Sequence, residues 1–272
     1  MHRRFFFSVI PLRHFLPIII IPFLLLALCI PARAAGMSLS FDSEGRTLRS
    51  VPRPGEINNS RTARNTAPEG VEILRDTAYE YYPVSGRTFS EIVRSVGENG
   101  PYNKSRTVRQ PCRVDWTATL SVQYDFSYAI DEENGKMHAA TEISDSTLED
   151  SSTVTLPSLI DDTALNPVEQ SMWRTYLSGL AEHCHALVAI IRDPQVRRTA
   201  REKMTDITYL IFDYTEGMDI EKSVEAFLRG EALRIGQEAV RGISARIADY
   251  EKTAAIPGRD KKQGSYRKNS EE

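Results

Sequence analysis

Residues 114–128 alternate apolar and mostly polar side chains without a break, and this regularity constrains the fold more than any other feature of the chain. The apolar positions are Val114, Trp116, Ala118, Leu120, Val122, Tyr124, Phe126 and Tyr128. Alternation of this length is typical of a long β-strand with one buried face. The following Asn134 and Gly135 favour a tight turn, so residues 137–144 are expected to return antiparallel to that strand.

Shorter elements flank this hairpin on both sides. Residues 78–84 are expected to form a strand, followed by a helix that Thr88 caps and Gly97 ends. Another short strand is expected over residues 152–156, halted by Pro157. These strands are predicted to complete an antiparallel sheet.

A long helix is predicted to begin at Asn166 and Pro167, because asparagine is a good N-cap and proline suits the first helical position. Its apolar stripe at helical spacing comprises Trp173, Leu177, Leu180, Cys184, Leu187, Val188 and Ile191. Residues 193–250 predict two more helices, separated near Gly217. The predicted class is therefore α+β: an antiparallel sheet with a packing helix, then the long helix and C-terminal helices.

The N-terminus has the features of an export signal. Arginines among the first 13 residues precede an apolar run over residues 15–30, and Ala32 and Ala34 supply small residues for cleavage after position 34. The alternative is an uncleaved anchor, since about 16 apolar residues are slightly few for a membrane span. Export to the periplasm or the medium is expected.

The rest of the chain divides by composition. Residues 35–70 are rich in Ser, Arg, Asn, Pro and Gly and are expected to be a disordered lead or linker. Residues 71–253 are expected to form one domain, and residues 254–272 a polar tail. Without residues 1–34, 30 basic residues face 37 acidic ones, a net charge of about −7. Nucleic acid is therefore an unsuitable partner, and a membrane would be contacted only through an uncleaved signal.

Two cysteines, Cys112 and Cys184, remain in that mature chain. In an oxidising compartment they either form a disulfide or remain as one buried and one idle thiol, and the sequence leaves both possibilities open.

The segment from Ala181 to His185 is the main candidate for a functional site. It resembles the zinc-peptidase motif His-Glu-x-x-His, in which two histidines one helical turn apart bind zinc and the glutamate polarises the attacking water. Glu182 and His185 remain here, but Ala181 occupies the first histidine position and has no lone pair. On a helix, Glu182 and His185 are expected to point away from the apolar stripe.

A wider resemblance covers residues 79–192. It rests on residues 82–88, Gly100 and Pro101, Trp116, residues 154–157, and the run from Trp173 to Glu182 and His185, in that order. Together they resemble a bacterial family of uncharacterised function, regarded as predicted secreted zinc-dependent proteases with a zincin-like fold. The resemblance implies a general base at Glu182 and a zinc ligand at His185. It also implies a further histidine near residues 250–255, and no histidine follows His185 in this chain.

Two hypotheses follow. In the first, this is a pseudoenzyme that needs no cofactor and binds a polypeptide or a cell-envelope partner. In the second, it is an active zinc metallopeptidase whose unconventional ligand set surrounds Glu182 and His185, completed by a residue such as His138. Catalytic zinc usually takes three protein ligands, and one histidine in register favours the first.

Overall fold

The computed structural model describes residues 35–49, 71–103, 107–161 and 163–254. The predicted signal (residues 1–34), most of the predicted lead and nearly all of the predicted tail lie outside these residues. The elements, in chain order, are β1 (Ala35–Asp42), β2 (Thr47–Leu48), β3 (Thr77–Val84), α1 (Phe89–Asn99), β4 (Arg113–Asp131), β5 (Lys136–Leu159), α2 (Pro167–Ile191), α3 (Pro194–Thr205), β6 (Tyr209–Asp213) and α4 (Ile220–Thr253). The predicted α+β class is confirmed.

The β4–β5 hairpin is the centre of the sheet. β4 is antiparallel to β5 along its whole length, from the pair Asp131 and Lys136 beside the turn to the pair Arg113 and Thr155. The alternating side chains of β4 are buried from Trp116 to Phe126, as the sequence predicts. β5 is one continuous strand of 24 residues rather than two short ones. Its middle is rich in Ser, Thr and Asp, and pairing with β4 keeps that polar stretch extended.

The remaining strands extend the sheet in the order β2-β1-β4-β5-β3, while β6 pairs with the first part of β5. β1 is antiparallel to β4 over eight residues, and its Met37 and Phe41 are buried. Residues 35–42 of the predicted disordered lead are therefore an ordered strand, because this pairing satisfies their backbone groups. β3 is parallel to β5, so the sheet is not antiparallel throughout.

The helices begin where the sequence predicts. The Thr88 side chain accepts the amide hydrogen of Glu91 at the start of α1. At the start of α2, Asn166 accepts the amide hydrogens of Val168 and Glu169, and the Glu169 carboxylate accepts the Asn166 amide hydrogen. These contacts satisfy the backbone donors that a helix start leaves unpaired.

Two apolar clusters stabilise the domain on opposite parts of the sheet. The first packs α3 and α4 against β1, β4 and the start of β5. The second packs α1 and α2 against β3 and the end of β5, and the whole predicted stripe of α2 is buried. Among the described residues, no helix combines the length and apolarity that a membrane span requires. The two clusters place α2 beside β3 and α4.

Gly236 of α4 is a packing position that tolerates no side chain. A methyl group there would lie 2.3 Å from the fully buried Phe41 ring, whereas one at the exposed Gly230 of the same helix would meet nothing within 4 Å. We expect Gly236→Ala to lower the free energy of unfolding by about 2 kcal/mol through overpacking. Gly230→Ala should raise it by about 0.5 to 1 kcal/mol through helix propensity. Urea unfolding of both variants tests this, and equal effects would contradict the α4–β1 packing.

Candidate functional site

The motif segment lies in the middle of α2, whose exposed stripe runs between β3 on one side and α4 on the other. Glu182 is exposed on this stripe, as predicted. At about 100° per residue, Ala181 and His185 lie about 40° apart on the β3 side. His183 lies on the opposite side, where its ring stacks on Tyr250 of α4 with centroids 5.3 Å apart. The two histidines therefore face different elements.

Ala181 is a core residue in this structure. Its side chain is 3% exposed and belongs to the apolar cluster that packs α2 against β3 and α1. Cys184, one position before His185, is fully buried in the same cluster, as the sequence predicts. The position where the resemblance implies a histidine is thus occupied by a methyl group that contributes to packing.

His185 is hydrogen-bonded to a tyrosine of β3. Its Nε2 lies 3.1 Å from the Tyr79 hydroxyl, and the two rings meet edge to face. The Leu74 amide donates to the same hydroxyl oxygen at 3.0 Å. Of these two contacts, Nε2 is the one that can receive the Tyr79 proton, because the Leu74 amide is itself a donor. We therefore assign the proton to the His185 contact, which makes Nε2 the acceptor and places the ring proton on Nδ1.

Burial favours the neutral form of this histidine. Desolvation is the largest effect on the His185 pKa and lowers it below 6.5, although the charges of Glu72 and Glu182 act in the opposite direction. Burial likewise raises the pKa of the Tyr79 hydroxyl, which the Leu74 hydrogen bond partly offsets. Both groups are therefore neutral at pH 7, as a Tyr O–H to imidazole hydrogen bond requires.

An arginine at the end of α2 positions the segment that leads into β3. The Arg192 guanidinium donates to the carbonyl oxygens of Arg75 at 2.8 Å and Asp76 at 2.6 Å. It also donates to the Asp150 carboxylate of β5 at 3.2 Å, and Arg197 donates to the same carboxylate. The Asp150 side chain is 7% exposed, so these two arginines compensate a buried charge. This network holds the backbone close to Tyr79.

The other polar residues of the motif do not converge on His185. The Glu182 carboxylate accepts a hydrogen bond from Ser178, one helical turn earlier, at 3.3 Å. His138 is bonded to Tyr209 where β5 meets β6. It lies sixteen positions before Val154, the partner of Tyr79, which is about 50 Å along the strand at 3.3 Å per residue. His138 thus does not approach the motif.

Across the described ranges, no group of three or more His, Cys, Asp or Glu side chains is placed to hold a metal ion. The arrangement instead contains a neutral Tyr79–His185 pair, and the charges of Glu72 and Glu182 raise the pKa of its histidine. Such a pair can donate a hydrogen bond to a bound ligand or accept one from it.

Sequence reasoning missed Tyr79 and Arg192 as parts of this site. Tyr79 was included only as the first residue of the family resemblance. Its alternation with Tyr81 in β3, where the two rings stack with centroids 6.4 Å apart, is the signal that places both side chains on one face of the strand. The contribution of Arg192 depends on contacts across more than 100 residues, which no local pattern reveals.

Comparison with known proteins agrees with part of the resemblance. Residues 79–206 match a family described as a bacterial protein of unknown function (DUF922). The match begins at Tyr79, includes β4, β5, α2 and α3, and leaves β1, β6 and α4 outside. No curated protein and no solved structure matches the chain. The predicted similarity to a bacterial family of uncharacterised function is confirmed for this segment, and the family description names no activity.

The neutral His185 predicts a pH dependence of stability. Because its pKa is lower in the folded chain than the ordinary 6.5, the unfolded chain binds more protons as the pH falls. The contribution of the neutral ring is complete above about pH 6.5 and is lost as the pH falls from there through the folded pKa. We expect wild type to lose more unfolding free energy than His185→Gln between pH 7.5 and pH 5. Parallel losses would show that His185 titrates normally.

Proposed function

We propose that this domain is a binding protein built on a zinc-peptidase-like framework, which binds a polypeptide segment and does not hydrolyse it. The observation that carries the proposal is the state of the two ligand positions on α2. Position 181 is a buried methyl group, and Nε2 of His185 is hydrogen-bonded to the Tyr79 hydroxyl, for which we assign the tyrosine as donor. Export to the periplasm or the medium, expected from residues 1–34, remains part of the proposal.

The donor set does not fit a catalytic zinc ion. Such an ion takes three protein ligands and keeps one position open for water. Here one imidazole is in register, and its Nε2 lone pair is already used in a hydrogen bond. His183 faces α4 and His138 lies at the far end of β5, so neither supplies a second nitrogen. Glu182 would then lack the metal-bound water that a general base needs.

The metallopeptidase alternative makes a direct prediction about metal content. We expect the purified chain, equilibrated with zinc and then dialysed, to retain far less than one zinc per chain by elemental mass spectrometry. His185→Ala should leave that amount unchanged, and neither wild type nor Glu182→Gln should cleave an unfolded protein substrate. Near-stoichiometric zinc that is lost in His185→Ala, with cleavage lost in Glu182→Gln, would replace the binding proposal by an active peptidase.

The proposed binding surface is the unpaired backbone edge of β3. Within the described part of the chain, β3 is the last strand of its end of the sheet and pairs with β5 alone. A strand with one unpaired side can accept an extended polypeptide through backbone hydrogen bonds. The side chains of Ala78 and Glu80 are exposed on one face of β3, while the half-buried side chains of Tyr79 and Tyr81 lie on the other face. The exposed stripe of α2 with Glu182 lies alongside, and the net negative charge favours a neutral or basic segment.

Peptide selection followed by hydrogen exchange tests this surface. An extended peptide selected on the full chain should slow amide exchange in residues 77–84, because added backbone hydrogen bonds protect the strand. The matched internal control is β6, a second strand that pairs on one side with β5. Slower exchange in β6 with no change in β3 would show that the peptide binds at β6 and would contradict the proposed surface. Failure to select any peptide would contradict a polypeptide partner.

A further inference from the structure

We propose that Cys112 and Cys184 form a disulfide that ties the motif helix to the start of β4. The neighbouring Cys112 thiol, together with burial, raises the pKa of the Cys184 thiol, so the two side chains adjoin in the fold although 71 residues separate them in sequence. They are 7% and 0% exposed and belong to the same apolar cluster. Both are free thiols in this structure.

The surroundings of both thiols fix their positions. Cys112 immediately precedes Arg113, the first residue of β4, and the hydroxyl of Tyr82 donates to the neighbouring Pro111 carbonyl at 2.7 Å. Cys184 lies in the middle of α2, between Glu182 and His185. A helix packed on its full apolar stripe and a strand paired along its length leave the two sulfurs little freedom to separate. Adjoining thiols held in this way form a bridge without rearrangement of the backbone when their Cα atoms lie within about 7 Å of each other.

The reaction is thiol–disulfide exchange with a disulfide oxidant such as oxidised glutathione. One cysteine thiolate attacks the oxidant, whose S–S bond breaks and releases one thiol. The second cysteine then attacks the mixed disulfide, so that the Cys112–Cys184 bond forms and a second thiol leaves. The protein loses two electrons and two protons, and the oxidant gains both. Because both sulfurs are buried, the exchange takes place before the domain finishes folding.

The bridge would act on the part of the helix that carries the candidate site. It closes a loop from residue 112 to residue 184, which contains the β4–β5 hairpin and the first part of α2. Closing a long loop restricts the unfolded chain, and the stabilisation grows with loop length. The bridge would also limit movement of the α2 residues beside Tyr79. This inference concerns the thiols alone and holds whether or not the domain binds a polypeptide.

Peptide mapping tests the bond directly. The full chain is unfolded, refolded in a buffer of reduced and oxidised glutathione, treated with N-ethylmaleimide and digested with trypsin without reductant. We expect a monomer that yields residues 110–113 linked to residues 175–192, at the summed mass less two hydrogens. The same two peptides each carrying one maleimide would overturn the proposal, as would linkage of either cysteine to Cys29 or a disulfide-linked dimer.

A melting-temperature measurement tests whether the disulfide stabilises the folded chain. Reductant should lower the melting temperature of the refolded chain by roughly 10 °C, the shift expected when a long-loop disulfide opens in a domain of this size. The double variant Cys112→Ser, Cys184→Ser is the control, and its melting temperature should not respond to reductant. No shift in wild type would contradict a stabilising bridge, and the peptide map keeps the test informative if the variant does not fold.

Discussion

The pairing of β4 with β5 along the whole length of β4 places every other part of this molecule. β1 adds to one side of the hairpin, and β3 and β6 add to different stretches of the other side. Because β5 is long enough to pair with both, the sheet carries two separate apolar clusters. α2 belongs to the cluster beside β3, and this position brings the motif helix against Tyr79. The geometry of the candidate site is thus a consequence of strand register.

At that site, one hydrogen bond is the feature on which the two proposed functions differ. The sequence alone leaves the role of His185 open, because a histidine one helical turn from an alanine can bind a metal ion with other ligands or take part in packing. In the folded chain the alanine is buried and the histidine is neutral, half-buried and held by a tyrosine. The Asp150, Arg192 and Arg197 network keeps the segment before β3 in place, so the tyrosine is fixed from a second direction. These constraints support a rigid surface for binding more than an adaptable metal site.

Local sequence patterns predicted the strands and helices whose own residues determine their structure. The alternation from Val114 to Tyr128 identified β4, and the cap at Asn166 with Pro167 identified the start of α2. The prediction was wrong where structure depends on a distant partner. β1 is short and serine-rich, and the polar middle of β5 has one buried leucine, Leu148, among mostly polar residues. Both are strands because β4 pairs with them. β6 was missed for the same reason. The same distinction holds at the candidate site. Helix periodicity predicted the exposure of Glu182, whereas the contact of Tyr79 with His185 joins distant parts of the chain and is visible only in the folded structure.

A crystal of the full chain soaked in zinc offers the most direct measurement of the central claim. The binding account predicts that Nε2 of His185 stays within hydrogen-bond distance of the Tyr79 hydroxyl and that no density for an ion lies on this face of α2. A tetrahedral ion bonded to His185, with further nitrogen or oxygen ligands from the chain and the Tyr79 hydroxyl displaced, would contradict it.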